Sequence, residues 1–142
     1  RQDLHAQPAE EAASVKRVLF VCVENSNRSQ MAEAFARRYA PEGVEAWSAG
    51  SRPSGTINPR AVRFMAELGI DLAAQRSKSL AEIAALDFAA VVTMGCGDAC
   101  PFVATQRRLD WALPDPRDMD DDGYRAVRDD IAARVKTLLA EL

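Results

Sequence analysis

The stretch VLFVCVENSNRSQM, which runs from Val18 to Met31, decides the fold of this chain. Its apolar start is continuous, as in a strand that is buried on both faces of a parallel sheet. Large side chains then recur at the spacing of a helix, at Met31, Phe35 and Tyr39. The sequence therefore predicts a strand, a short polar loop and a helix, with Cys22 where the strand ends.

The polar loop between this strand and this helix is a candidate anion site. Backbone N–H groups at the start of a helix point to one place, where the helix dipole also favours negative charge. Arg28 adds a planar guanidinium that suits a tetrahedral oxyanion. The predicted oxyanion-binding residues are Cys22, Val23, Glu24, Asn25, Ser26, Asn27 and Arg28.

Cys22 is the predicted nucleophile, because the thiolate is the reactive form of cysteine and the same electric field favours it. Ser29 is expected to donate a hydrogen bond to that thiolate, to cap the helix, or to do both. Asn25 is expected to adopt the left-handed conformation, which turns the loop so that its N–H groups converge. The alternative is a buried core cysteine with a surface arginine nearby.

Strands alternate with helices along the rest of the chain. Further strands are predicted at 44–48, 88–94 and 109–113, and further helices at about 59–68, 80–86 and 124–139. This alternation indicates a parallel sheet with right-handed crossovers. We therefore predict an α/β fold with a doubly wound, four-stranded parallel sheet in the order 2-1-3-4, which is flavodoxin-like.

Each candidate for chemistry follows a predicted strand directly. Cys22 follows the first strand, Cys96 and Cys100 follow the third, and Asp115 follows the fourth. In the order 2-1-3-4 the first and third strands are neighbours, about 4.8 Å apart. Ligands of such sheets bind at the carboxyl ends of the strands. The three thiols are therefore predicted to lie at one edge of the sheet.

Length and composition limit the class of protein. The 142 residues suit one domain, and 48% hydrophobic with 27% charged residues is a globular composition. The net charge of −3 argues against binding to nucleic acid or an anionic membrane. Three cysteines favour catalytic or redox-active thiols in a cytoplasmic protein over a secreted disulfide scaffold. Residues 1–15 are expected to form a tail or arm, and residues 16–142 one domain.

The motif Cys22-x-x-Asn25-Ser26-x-Arg28-Ser29-Gln30 resembles the anion loop of arsenate reductases built on the low-molecular-weight tyrosine phosphatase fold. Gln30 is similar to the reductase branch, since the phosphatase branch usually has proline there. The similarity covers nearly all of the chain from Lys16 onward, through Ser48-Ala49-Gly50, Asn58-Pro59, Val91-Val92-Thr93, Cys100-Pro101 and Asp115-Pro116.

This resemblance implies an arsenate reductase without a tightly bound cofactor. Cys22 would attack arsenate, and Asp115 would act as the general acid that protonates the departing oxygen. A second thiol, from Cys96 or Cys100, would release arsenite, and the remaining thiol would present the disulfide to thioredoxin. The order of these two thiols stays open. So do the reductant, which is thioredoxin or mycothiol, and the oligomeric state, monomer or homodimer.

Two other functions remain as alternatives. A phosphotyrosine phosphatase needs only Cys22, Arg28 and Asp115, and its substrate is also a tetrahedral anion. A non-catalytic oxyanion-binding module would need only the loop. Cys96 and Cys100 favour the reductase, although they can also be read as two small buried side chains.

The chain departs from the family pattern at several positions. Only three residues separate Cys96 from Cys100, a shorter spacing than the family usually has. Glu24 stands where the family often has glycine, and it is expected to point outward. No metal ligand set is evident, but the monovalent cation site of the family would correspond to Asn25, Glu33, Ser48 and Asp71.

Overall fold

Four parallel strands form one sheet in the order β2-β1-β3-β4, which confirms the predicted fold class. The structure, a computed structural model, describes residues 15–83, 85–95, 103 and 105–142. The strands are β1 (Lys16–Cys22), β2 (Val44–Gly50), β3 (Ala90–Thr93) and β4 (Arg108–Asp110). The α-helices are α1 (Arg28–Tyr39), α2 (Pro59–Ala66) and α3 (Asp121–Glu141), with short 3-10 helices at Leu72–Ala74, Leu80–Ile83 and Pro116–Asp118.

Strand β1 is buried on both faces, as its continuous apolar run predicts. Val18 and Phe20 join the larger core cluster, which the side chains of α1, α2 and α3 complete. Leu19 and Val21 point to the opposite face, into a smaller cluster with Ile83 and Phe88. Alternate side chains of a strand lie on opposite faces of the sheet, so β1 forms the centre of both clusters.

The last helix starts earlier than its hydrophobic spacing predicts. It begins at Asp121 rather than near Tyr124, because the Asp120 side chain caps it by accepting a 2.8 Å hydrogen bond from the Gly123 N–H. Asp121 and Asp122 in the first turn also suit the positive end of the helix dipole. The acidic residues Asp120, Asp121 and Asp122 therefore form the start of this helix.

The predicted fourth strand is displaced in the structure. Strand β4 covers Arg108–Asp110, whereas the prediction placed it at 109–113. The Trp111 N–H still donates to the Thr93 carbonyl, but the chain then turns, since the Leu113 N–H donates to the Trp111 carbonyl. Trp111 and Leu113 are buried in the core cluster. Their apolar character therefore reflects packing beyond the sheet edge and not strand pairing.

Glu67 connects α2 to α3 through two arginines. Arg125 donates from Nε to Oε1 at 3.0 Å and from Nη2 to Oε2 at 2.8 Å. Arg128 donates from Nη1 to Oε1 at 2.7 Å and to the Phe64 carbonyl at 2.9 Å. The hydrogen bonds from Arg125, followed by those from Arg128, lower the pKa of Glu67 from 4.5 to about 2.

This pKa shift predicts how the stability of the fold changes with pH between 4.5 and 2. A carboxylate with a lowered pKa stabilises the fold fully above its unfolded pKa of 4.5, and the stabilisation is lost as the pH falls toward 2. We expect Glu67→Gln to lower the melting temperature at pH 7 and to make it less sensitive to pH between 4.5 and 2. Thermal unfolding across this range, with Glu42→Gln as a charge-matched control on the surface, measures the difference. Parallel pH profiles for the wild type and Glu67→Gln would contradict the assignment.

Candidate active site

Cys22 lies at the carboxyl end of β1, in the middle of the sheet. It is a free thiol that is 5% exposed, and it pairs in register with Gly50 of β2. The chain then makes the loop 23–27 before α1 begins at Arg28. The nucleophile predicted from the sequence is thus at the edge where ligands of parallel sheets bind.

The carbonyl groups of this loop all accept hydrogen bonds from surrounding residues. In a trans peptide the C=O and the following N–H point in opposite directions. The N–H groups that follow these carbonyls, from residue 24 to residue 28, therefore point away from those donors, and four of these residues, Glu24, Ser26, Asn27 and Arg28, line the pocket. The donors to the carbonyls of Val23, Glu24, Asn25, Ser26 and Asn27 are, in that order, Arg52 N (2.8 Å), Ser54 N (3.0 Å), Gln30 Nε2 (3.0 Å), Asn58 N (2.9 Å) and Met31 N (3.1 Å).

Asn25 adopts the left-handed conformation predicted for it, with a φ of 50°. Its side chain is fully buried, and its Oδ1 accepts hydrogen bonds from the Lys78 N–H at 2.7 Å and from Gln30 Nε2 at 2.9 Å. These two donors fix which end of the amide is oxygen. Asn25 Nδ2 consequently faces Ser29 Oγ and donates to it at 2.9 Å.

This arrangement leaves the Ser29 hydroxyl able to donate to Cys22. Ser29 Oγ lies 2.8 Å from Cys22 Sγ, where either atom could be the donor, and one of the two lone pairs of Oγ accepts from Asn25 Nδ2. A hydroxyl has one proton, and the proton of Ser29 is therefore free to point at the sulfur. Of the two roles predicted for Ser29, the structure gives contacts for the first.

Arg28 is held at the side of the pocket by its own hydrogen bond. Its Nη1 donates to the Leu113 carbonyl at 2.8 Å, while a guanidinium carries five N–H donors in all. Gly95 leaves room for it, because a Cβ on that residue would lie 2.9 Å from Arg28 Nη1. The guanidinium plane therefore has a fixed place and retains donors for an oxyanion.

The loop lines a pocket of about 310 Å³, which also contains Asn58, Asp115 and Arg117. Asp115 Oδ1 accepts from the Arg117 N–H at 3.0 Å, so this carboxylate also caps the 3-10 helix that follows. Glu24 is exposed, as expected, and lies 3.5 Å from Arg117 Nη1. Arg117 and Asn58 were missed in the sequence. Asn58 gave only a helix-start signal, and Arg117 followed the Asp-Pro pair without a motif of its own.

Tyr124 of α3 contacts the loop through its side chain. Its buried hydroxyl donates to Asn27 Oδ1. Burial is the main cause that raises the pKa of Tyr124 from 10 to about 12, so the phenol stays protonated and acts as a donor at neutral pH. The guanidinium of Arg60 lies over the same ring, 4.7 Å from its centroid.

Tyr124→Phe should therefore loosen the loop without opening a large cavity. We expect it to lower the free energy of unfolding by roughly 1–2 kcal/mol, since Asn27 loses its donor in a buried place. The affinity for inorganic phosphate should fall with it. Urea unfolding and phosphate titration by calorimetry measure the two effects. Tyr39→Phe removes a hydroxyl from an exposed tyrosine and is the control; equal behaviour of the two variants would contradict the role.

The residues expected around a monovalent cation do not form one ligand set. Ser48 Oγ donates to Glu33 Oε1, and both residues are fully buried. Asp71 is exposed and accepts a 3.0 Å hydrogen bond from the Ala73 N–H, at the start of a 3-10 helix. Lys78 Nζ lies 3.3 Å from Glu33 Oε1. An ammonium thus contacts the buried carboxylate, and the residues present do not fit a bound metal ion.

Cys96 and Cys100 lie outside the described residues, and so does residue 101. The described chain reaches Gly95, which is next to Arg28. Just before it, the Met94 N–H donates to the Val21 carbonyl at 2.9 Å. Strand β3 therefore ends at the same edge of the sheet as Cys22, as the predicted strand order requires.

Comparisons with known proteins agree with this geometry. The sequence model of the family described as low molecular weight phosphotyrosine protein phosphatase matches residues 17–142. The glutaredoxin arsenate reductase of Synechocystis is 36% identical over 131 residues, which span 90% of this chain and 99% of the relative.

Among the described residues, no helix has the length and apolar composition to cross a bilayer.

Solved structures give the same relationship. An arsenate reductase in the phosphate-binding state superposes with a TM-score of 0.81 at 36% identity, over 89% of this chain and 98% of the other. The thioredoxin-dependent arsenate reductase of Corynebacterium glutamicum gives 0.73 at 34% identity, over 97% of this chain and 68% of the other. The chain therefore belongs to the low-molecular-weight phosphotyrosine protein phosphatase family, and arsenate reductases are among its relatives.

Proposed function

We propose that this protein reduces arsenate to arsenite through a covalent adduct on Cys22. The observation that carries the proposal is the buried, free Cys22 thiol with Ser29 Oγ at 2.8 Å, in a pocket that Arg28 and Asp115 also line. The names of the relatives, which are arsenate reductases, support the same chemistry.

In the first step, the Cys22 thiolate forms a bond to arsenic, and one arsenic–oxygen bond breaks. The oxygen leaves as water after it takes up protons, one of which Asp115 supplies. The N–H groups of the loop and the guanidinium of Arg28 balance the charge of the remaining oxygens. This step transfers no electrons, since it exchanges an oxygen for a sulfur.

In the second step, a second thiolate attacks the Cys22 sulfur. A disulfide forms, the sulfur–arsenic bond breaks, and its electron pair stays on arsenic, which leaves as arsenite. Cys96 or Cys100 supplies this thiolate, and the other takes over the disulfide by exchange. The position of Gly95 beside Arg28 supports this role, because Cys96 is the next residue in the sequence.

The external reductant supplies two electrons per turnover, and we propose thioredoxin for it. The relative from Corynebacterium glutamicum is named thioredoxin-dependent, and the one from Synechocystis is named for glutaredoxin, which is therefore one alternative. Mycothiol is the alternative that the sequence analysis left open. A cytoplasmic location is part of the proposal, because the cycle needs a reducing compartment. We also propose that residues 16–142 are the catalytic domain and residues 1–15 a tail or arm; the family match covers residues 17–142.

The test supplies arsenate with one reductant at a time. Thioredoxin with its reductase should support NADPH oxidation in step with arsenite release, and a Cys96→Ser/Cys100→Ser variant should lose it. If that double variant is active with mycothiol, arsenic is transferred to a small thiol and the proposed intramolecular route is wrong. Lack of arsenite with every reductant would refute the proposed function.

A phosphotyrosine phosphatase is the second candidate, because the pocket that holds Cys22 and Arg28 also contains Asp115. These residues suffice to cleave a phosphate ester through a phosphocysteine. An aryl phosphate assay decides between the two. A high rate of phosphate release without arsenate-dependent NADPH oxidation would favour the phosphatase.

A further inference from the structure

Glu33 is a buried carboxylate directly beneath the anion loop. Its side chain is 1% exposed, and a buried charge needs a partner of opposite sign. Ser48 Oγ donates to it from β2. Arg37 Nη2 lies 2.7 Å from Oε2 as an ion pair, although without hydrogen-bond geometry, and Arg37 is 59% exposed. Arg37 is therefore a largely exposed partner of Oε2, whereas the partners of Oε1 are buried.

Lys78 provides the buried cation beside this carboxylate. Its side chain is 8% exposed, and its Nζ lies 3.3 Å from Glu33 Oε1. The same ammonium donates to the Arg76 carbonyl at 3.0 Å. A carboxylate oxygen and a backbone carbonyl oxygen are also what a bound alkali metal ion would use, so the ammonium takes contacts that such an ion would need.

Lys78 is also tied to the loop through its backbone. Its N–H donates to Asn25 Oδ1 at 2.7 Å, and its carbonyl accepts from the Gly50 N–H at 2.9 Å. Asn25 in turn donates to Ser29, which contacts Cys22. A shift of Lys78 would therefore be passed to the thiol through three hydrogen bonds.

We propose that the Lys78 ammonium is a built-in cation that holds Glu33 under the anion loop, so that the protein needs no monovalent metal ion there. A metal ion added at Glu33 would stand next to an ammonium of the same sign, and like charges repel. Lys78 is thus a positioning residue, which acts on Cys22 through Asn25 and Ser29.

The experiment compares potassium chloride with choline chloride at equal ionic strength. Two quantities are measured without arsenate: the melting temperature, and the rate at which iodoacetamide alkylates Cys22. Neither depends on turnover, so the outcome is separate from that of the proposed function. The wild type should give the same values in both salts, and a potassium-specific rise in its melting temperature would overturn the proposal.

Lys78→Ala removes the ammonium and leaves the backbone N–H to Asn25 in place. Removing one member of a buried ion pair should lower the melting temperature in choline chloride by about 10 °C and change the alkylation rate. Potassium should partly restore the melting temperature and the alkylation rate of this variant, because the ion can occupy the space that the lysine side chain leaves. Lys136→Ala is the control, since it removes the same charge from the exposed face of α3.

Three outcomes would contradict the proposal: Lys78→Ala as stable as Lys136→Ala, Lys78→Ala unaffected by potassium, or a wild type that responds to potassium. If Lys78→Ala does not fold, Glu33→Gln/Lys78→Met replaces it, because this variant removes both buried charges. It should fold and be indifferent to potassium, and failure to fold with both charges gone would show that charge balance is not the role of Lys78.

Discussion

Cys22→Ser is expected to abolish arsenate reduction, with a loss of at least about 10⁴-fold in kcat/KM. Serine keeps the size of the side chain and its hydrogen bond to Ser29. Its hydroxyl, however, is far less ionised than a thiol at neutral pH and is a poor nucleophile without a base. The coupled NADPH assay, with arsenite measured independently, gives the result.

The fold of this variant should be unchanged. Cys22 is buried and the substitution is isosteric, so the melting temperature should stay within a few degrees of the wild type. Inorganic phosphate should still bind, since the loop N–H groups and Arg28 remain. Arsenite production by folded Cys22→Ser at more than a trace would remove Cys22 from the centre of the mechanism.

Gly50→Ala is expected to have the second-largest effect, although Gly50 is not among the residues that line the pocket. A Cβ on Gly50 would lie 2.4 Å from the Val23 carbonyl oxygen and 3.0 Å from the Asn25 nitrogen. Both are backbone atoms, so the anion loop must move. A displacement near 1 Å at a reacting centre costs on the order of 10²-fold in rate, and the overpacking itself costs about 1–3 kcal/mol. Kinetics and urea unfolding of the same preparation separate these two losses.

Gly43→Ala is the matched control for this variant. Gly43 has a φ of 89° and open space around it, at the start of β2 and away from the loop. Alanine there should lower stability by about 1–2 kcal/mol through backbone strain and leave kcat/KM close to that of the wild type. If Gly43→Ala and Gly50→Ala lose activity equally, the steric argument for Gly50 fails.

The succession of strands and helices along the chain could be predicted from the sequence, because each element had a local signal. The apolar run of β1 and the Asn58-Pro59 helix start are both present in the structure. The boundary of β4 differed for a tertiary reason, and that of α3 for a local one. Trp111 packs against Phe20, with ring centroids 5.8 Å apart, and the cap by Asp120 outweighed the hydrophobic spacing.

The part of the candidate site that one continuous segment forms was predictable from the sequence. The contacts between segments that are distant in the sequence were missed. The loop, the left-handed Asn25 and the contact between Ser29 and Cys22 all lie within one motif. Tyr124 and Lys78 are 97 and 53 residues from their partners Asn27 and Asn25. Nothing in the spacing of the sequence connects them. The family comparison implied a cation ligand set, and the structure instead places a lysine against Glu33.

Disulfide mapping after a single arsenate turnover tests the central claim most directly. Reduced protein receives one equivalent of arsenate without thioredoxin, and is then quenched in acid, alkylated and digested for mass spectrometry. We predict a Cys96–Cys100 disulfide in the wild type. In whichever of Cys96→Ser and Cys100→Ser still releases arsenite, Cys22 should be joined to the remaining cysteine. Arsenite release with Cys22 recovered only as the alkylated free thiol in those variants would contradict the account.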